Sequence, residues 1–90
     1  MFKNKGQNGK CNLCGATVYR LRRAATPRMS QRMLAARLQL LGLDVDKNAI
    51  QRIEAGQRFV TDIELVALAR ALGTSLEELL ATTGDEDTLI

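Results

Sequence analysis

Apolar residues recur at helical spacing in several separate blocks of this chain, each bounded by a residue suited to starting or ending a helix. From Ala16, Val18 and Leu21 share a face with Ala24 or Ala25, while Arg20, Arg22 and Arg23 fall on other faces. Pro27 disfavours helical geometry at Thr26, so this first helix is predicted to stop before Thr26-Pro27. Ser30 can cap a second helix, on which Met33, Leu34, Leu38 and Leu41 form an apolar stripe with Arg32, Gln39 and Arg37 outside it. Gly42 ends that helix in a left-handed conformation that glycine adopts without penalty. Leu43-Asp44-Val45 is then a turn, and Asp46 caps a third helix over 46–55, closed by Gly56.

Residues 57–60 read as a loop, after which Thr61 can cap a fourth helix with Asp62 and Glu64 in its first turn, near the positive end of the helix dipole. Its stripe is Ile63, Leu65 or Val66, Leu68 or Ala69, and Leu72, and it ends at Gly73. Ser75-Leu76-Glu77-Glu78 has the spacing of a capping box, which predicts a short fifth helix to Leu80 or Ala81. The expected fold is therefore all-α, five helices without a strand. Residues 1–12, rich in Lys, Asn, Gly and Gln, bury too little apolar surface to offset ordering entropy and read as a flexible basic arm. The helical domain is expected over 13–82, followed by an acidic tail over 83–90.

Composition agrees with this picture. Apolar residues make up 46% and aromatics only 3% of the 90 residues, so the core must be built from Leu, Ile, Val, Ala and Met, and a chain this short has room for one modest core. The net charge of +3 conceals a strong polarity. Through Arg58 there are twelve Lys or Arg against three acidic residues, and from Phe59 onward one Arg against seven acidic residues. Such asymmetry fits either a face turned toward a polyanion or an ordinary solvated surface. No apolar run approaches the roughly 18 residues of a membrane span, and the first residues lack a signal-peptide core, so a soluble cytoplasmic protein is expected.

The third helix has a marked division of faces. At about 100° per residue, Ile50 and Ile53 lie with Ala49 on one side, and Lys47, Asn48, Gln51 and Arg52 lie on the other. The amides of Asn48 and Gln51 can pair with adenine, Lys47 and Arg52 can donate to guanine, and Ala49 permits close approach. A solvated helix face would have the same look; position immediately after a helix and a turn is what favours base reading.

The series Met29-Ser30-Gln31, Leu34-Ala35, Leu38, Ile50-Gln51-Arg52-Ile53-Glu54-Ala55-Gly56 and Ala67-Leu68-Ala69-Arg70-Ala71-Leu72-Gly73, with Ser75-Leu76-Glu77-Glu78-Leu79-Leu80, resembles the Cro/cI-type (Xre family) helix-turn-helix domain. The resemblance spans about three quarters of the chain, over 13–80. It implies a five-helix, lambda-repressor-like fold and a sequence-specific regulator of transcription, expected to repress, that binds double-stranded DNA as a homodimer. Carried over residue by residue, it gives Lys47, Asn48 and Gln51 base contacts with Arg52 at their edge. Gln31, Gln57 and Arg58 would contact phosphates, joined by Arg28 and Arg32 near the start of the second helix. It also implies an internal ion pair for Glu54, for which Arg20 or Arg37 is the expected partner. One departure is plain: nineteen steps separate Gln31 from Ile50, several more than the family pattern usually has, so a lengthened second helix and turn are expected.

Cys11 and Cys14 have the spacing of half a zinc knuckle, but tetrahedral zinc needs four ligands and the chain has no His and no further Cys. No metal or cofactor is expected; the alternatives are a zinc shared between two subunits, a disulfide or redox role, or Cys14 as a small buried hydrophobe at the start of the first helix with Cys11 incidental. The carboxylates of Glu77-Glu78 and of Asp85-Glu86-Asp87 fit solvation better than acid–base chemistry, so no catalytic residues and no enzyme activity are expected. For a dimer the candidate contacts are Phe59, Val60, Leu76, Leu79 and Leu80, the leucines fitting an intramolecular core equally well. An alternative function is an antitoxin-like protein-binding module, in which the acidic residues 84–90 ending in Leu89-Ile90 dock on a partner and DNA binding is secondary. A third is RNA binding by a zinc knuckle.

Overall fold

A computed structural model of the chain describes residues 9–81. The acidic tail and residues 1–8 of the basic arm lie outside the described residues. Within them, five helices and no strand follow in order: α1 (Gly15–Ala24), α2 (Gln31–Leu40), α3 (Lys47–Glu54), α4 (Asp62–Leu72) and α5 (Leu76–Leu80). The protein is all-α. No helix among the described residues is long and apolar enough to cross a membrane.

Each helix starts where the local chemistry can satisfy its first N–H groups. The Ser30 hydroxyl accepts from the Met33 N–H at 3.0 Å and the Asp46 carboxylate from the Ala49 N–H at 2.8 Å. The full reciprocal capping box is at α4, where Thr61 Oγ1 accepts from the Glu64 N–H and Glu64 Oε1 accepts from the Thr61 N–H. The box expected at Ser75 is only half made. Ser75 Oγ accepts from the Glu78 N–H, but the Glu78 carboxylate takes the Thr74 hydroxyl instead of the Ser75 N–H.

The helices are short and depend on packing, since isolated helices of this length are marginal in water. Val18 of α1, Leu34 and Leu38 of α2, Ile50 and Ile53 of α3, Leu68 of α4 and Leu79 of α5 form the fully buried centre. Met29 and Val45, from the connections, close it. Three expected stripes are revised. On α1 the position after Val18 that faces inward is Arg22, buried because it has a carboxylate partner, while Leu21 is only half-buried. On α2, Met33 and Leu41 are exposed and Ala35 joins Leu34 and Leu38. On α4 the buried face is Ala67, Leu68, Ala69 and Ala71, three small side chains around one large one, packed toward α1 and α2, and Ile63 points outward.

The long stretch between Gln31 and Ile50 resolves into a ten-residue α2 and a connection over 41–46. Gly42 takes φ +94° there, and the Leu43 N–H returns to the Leu38 carbonyl at 3.0 Å. Val45 is buried in the core, and the Gln39 amide donates to its carbonyl at 2.8 Å. The 41–46 connection is thus pinned at both ends, which fixes where α3 begins relative to α2.

Candidate nucleic-acid interface

α3 packs its Ile50 and Ile53 side against α1 and α2. Lys47, Asn48, Gln51 and Arg52 are all exposed on the opposite side, and Ala49 is half-buried between the two. The outer face is therefore a continuous row of two amides and two cations on a helix whose inner face is locked. None of the four is engaged by another side chain among the described residues, so all their donors face solvent.

The C-terminal end of α3 is held by three separate devices. Gly56, at φ +74°, closes a Schellman motif, with the Gly56 N–H on Ile53 O at 3.0 Å and the Gln57 N–H on Arg52 O at 2.8 Å. Second, Glu54 accepts a forked pair from Arg22 of α1, Nε to Oε2 at 2.7 Å and Nη2 to Oε1 at 3.0 Å. The expected partners Arg20 and Arg37 are not used; Arg37 donates to the Ala71 carbonyl at 3.1 Å instead. Arg22 wins because it sits on the α1 face already turned inward, and its remaining nitrogen Nη1 donates to Met29 O at 3.0 Å. Third, Asn12 stitches the N-terminal segment to this end. Its Nδ2 donates to Ile53 O at 3.1 Å and to Arg58 O at 2.8 Å, while its Oδ1 accepts the Gly15 N–H at 2.8 Å.

Asn12 was not among the residues singled out in the sequence, although an Asn three positions before the first helical N–H is a capping signal of a kind. Together with Cys11, whose N–H donates to Gly56 O at 2.9 Å, and Lys10, whose ammonium donates to Ala55 O at 3.2 Å, it corrects the expected arm. Residues 10–12 are strapped across the end of α3. Such a strap offers cationic Lys10 to the carbonyl end of the helix dipole, which favours it there.

The phosphate candidates divide into three groups. Arg28 and Arg32 are exposed at the start of α2, and neither joins an ion pair among the described residues. Gln31 is half-buried, and one N–H of its amide donates to Glu54 Oε1 at 3.0 Å. Because the amide nitrogen carries two hydrogens, the second remains for a ligand, and the Arg22–Glu54–Gln31 chain fixes its direction. Gln57 is exposed, but Arg58 is half-buried and forked onto Glu64, with both nitrogen–oxygen distances 3.1 Å. That pairing holds the Glu64 carboxyl below the usual carboxylate range and neutralises much of the charge Arg58 could offer.

Of the two thiols, Cys11 is partly exposed and Cys14 fully buried at the start of α1, as a small hydrophobe would be. Burial pushes the Cys14 thiol up to about 11. The Cys14 side chain is thus shut off from the surface in this fold.

The model of one protein family, described as a helix-turn-helix domain, matches residues 13–82. The chain belongs to the helix-turn-helix domain family. Comparison with curated proteins and with solved structures gives no match. Membership assigns α2, the 41–46 connection and α3 to one domain and points to a DNA-binding regulator. In a helix-turn-helix domain the second helix of the motif is the one placed in the major groove. α2 and α3 are successive helices of the matched span, joined by the 41–46 connection, and the outer face of α3 carries the exposed amides and cations.

Proposed function

We propose that this helix-turn-helix protein is a sequence-specific regulator of transcription of the Cro/cI (Xre) class, acting as a repressor in the cytoplasm and without catalytic activity of its own. α3 enters the major groove, where Asn48 and Gln51 read adenine edges, Lys47 and Arg52 reach guanine, and Arg28, Gln31, Arg32, Gln57 and Arg58 meet phosphates. The protein binds as a homodimer on two half-sites related by a two-fold axis, since one domain of this size makes few base contacts. The observation that carries this reading is the outer face of α3, four exposed donor-bearing side chains on a helix locked from behind by Ile50 and Ile53.

The test is selection of bound duplexes from a random pool, repeated with Asn48→Ala and Gln51→Ala. The wild type should return one preferred site, and each substitution should relax discrimination at its own position by about 1–3 kcal/mol. An unchanged selected site with both variants would sink the placement of α3.

A further inference from the structure

The solvent face of α4 has no partner among the described residues. On a helical wheel Asp62, Val66, Arg70 and Ile63 fall within about 100° of one another, with buried Leu68 opposite and buried Ala67 and Ala69 at the two edges of the face. Ile63 is 68% exposed and Val66 46%, and Phe59 in the preceding loop is 51% exposed. Asp62 begins this face and Arg70 ends it, and neither forms an ion pair among the described residues. An apolar centre with one acid at one end and one base at the other is self-complementary under a two-fold axis. Two such helices crossing antiparallel at Val66 set Asp62 of each copy against Arg70 of the other, with Ile63 and Val66 meeting between them.

We propose that this face of α4 is where a second copy of the chain docks. The proposal gives a surface to the homodimer reading above, on which it rests. It moves that surface away from α5, where Leu79 is spent on the core, Leu80 is half-buried, and exposed Leu76 has only the acids Glu77 and Glu78 beside it, so two copies meeting there would bring like charges together. A second exposed apolar stripe, Met33 and Leu40 of α2 with Leu41 at its C-cap, has only cationic Arg32 and Arg37 along the helix and no acid, so two copies meeting there would bring like charges together. The α4 patch also begins one residue after Arg58, which sets the dimer contact at the border of the proposed DNA face. A few side chains fall well short of the roughly 800 Å² that each partner buries in a standard complex. Self-association is therefore weak in free protein and strengthened when two copies occupy neighbouring half-sites.

Amide NMR spectra of the full chain, recorded from micromolar to millimolar concentration without DNA, test this. Resonances of Asp62, Ile63, Val66 and Arg70 should move with concentration. Asp62→Arg and Arg70→Asp should each weaken self-association about tenfold, a loss of about 1.4 kcal/mol. The first variant then carries two cations on the face and the second two anions, so an equimolar mixture of the two should associate again. Damage to folding cannot be repaired by mixing. Concentration-independent spectra, shifts confined to α2 or α5, or two variants that stay apart when mixed would each overturn the proposal. Because no DNA is present, any of these results leaves the DNA-binding reading standing.

Discussion

The Arg22 guanidinium and the Glu54 carboxylate meet through two parallel bonds, with side chains only 8% and 6% exposed, and so join α1 to the end of α3. A third helix is tied in through Gln31, which donates to the same carboxylate. Removing one member of such a pair leaves the other charge buried without compensation, which is the costly way to break a salt bridge.

Glu54→Ala is accordingly expected to destabilise the fold by about 3–5 kcal/mol, a large share of what a small domain possesses. Glu54→Gln should cost less, since an amide oxygen can still accept from Arg22 and Gln31. Thermal or urea unfolding measures both. Equal stability of the alanine variant and wild type would mean that Arg22 finds water when the carboxylate is removed.

How far this was legible in the sequence depends on the kind of interaction. Periodicity and capping residues locate all five helices, because Ser30, Asp46 and Thr61 act locally and their signal lies within a few positions. The division of α3 into Ile50–Ile53 and Lys47–Asn48–Gln51–Arg52 sides follows from its wheel for the same reason. What periodicity could not find were polar groups whose partners are distant in sequence. Arg22 reads as a surface residue until Glu54, 32 positions away, is placed beside it. Asn12 reads as part of a polar arm until the carbonyls of Ile53 and Arg58 arrive. Ile63 matched a stripe, yet the alanines of α4 bring its opposite side closer to the core.

Gly15 gives a test in which two effects have opposite signs. As the first residue of α1 it should be improved by alanine, which is favoured over glycine in helices by about 0.5–1 kcal/mol. A Cβ there, however, would run into the Ile53 carbonyl oxygen, with the Glu54 carbonyl oxygen 3.2 Å away. Backbone atoms at a helix end cannot swing aside as a long side chain can. Gly15→Ala is therefore expected to lower stability by about 1–3 kcal/mol, the usual cost of overpacking. A rise in Tm would show that α1 and the end of α3 can separate freely.

The two thiols should separate cleanly by reactivity. Alkylation with iodoacetamide near neutral pH should label Cys11 in the native protein and reach Cys14 only after unfolding, as mass spectrometry of digests would show. The sign of the pH effect follows from the raised Cys14 value. The neutral thiol is retained in the folded state up to about 11, while the unfolded chain ionises from 9.0, so stability falls as pH rises through that interval. Cys14→Ala should flatten this alkaline decline, though it removes packing atoms from the core. Labelling of both thiols at equal rates in native protein would contradict the burial.

The pairing of Arg58 with Glu64 separates the phosphate candidates by salt dependence. Each phosphate neutralised contributes about 0.9 to the slope of log K against log salt concentration. Arg28→Ala and Arg32→Ala, which remove unpaired cations, should each make the slope shallower by about that amount. Arg58→Ala should change it less, because the charge it removes is already largely cancelled. Glu64→Gln should have the opposite effect and steepen the slope, as an unpaired Arg58 turns to the DNA. The same substitution reports on stability at acid pH. Glu64 has a lowered value in the folded protein, mainly through its bonds from Arg58, so its contribution is present above the unfolded value of 4.5 and lost as pH falls through the folded one. Glu64→Gln should therefore make unfolding less sensitive to acid while making DNA binding more sensitive to salt. Equal slopes for Arg32→Ala and Arg58→Ala would mean that the Arg58–Glu64 pair opens fully on the duplex.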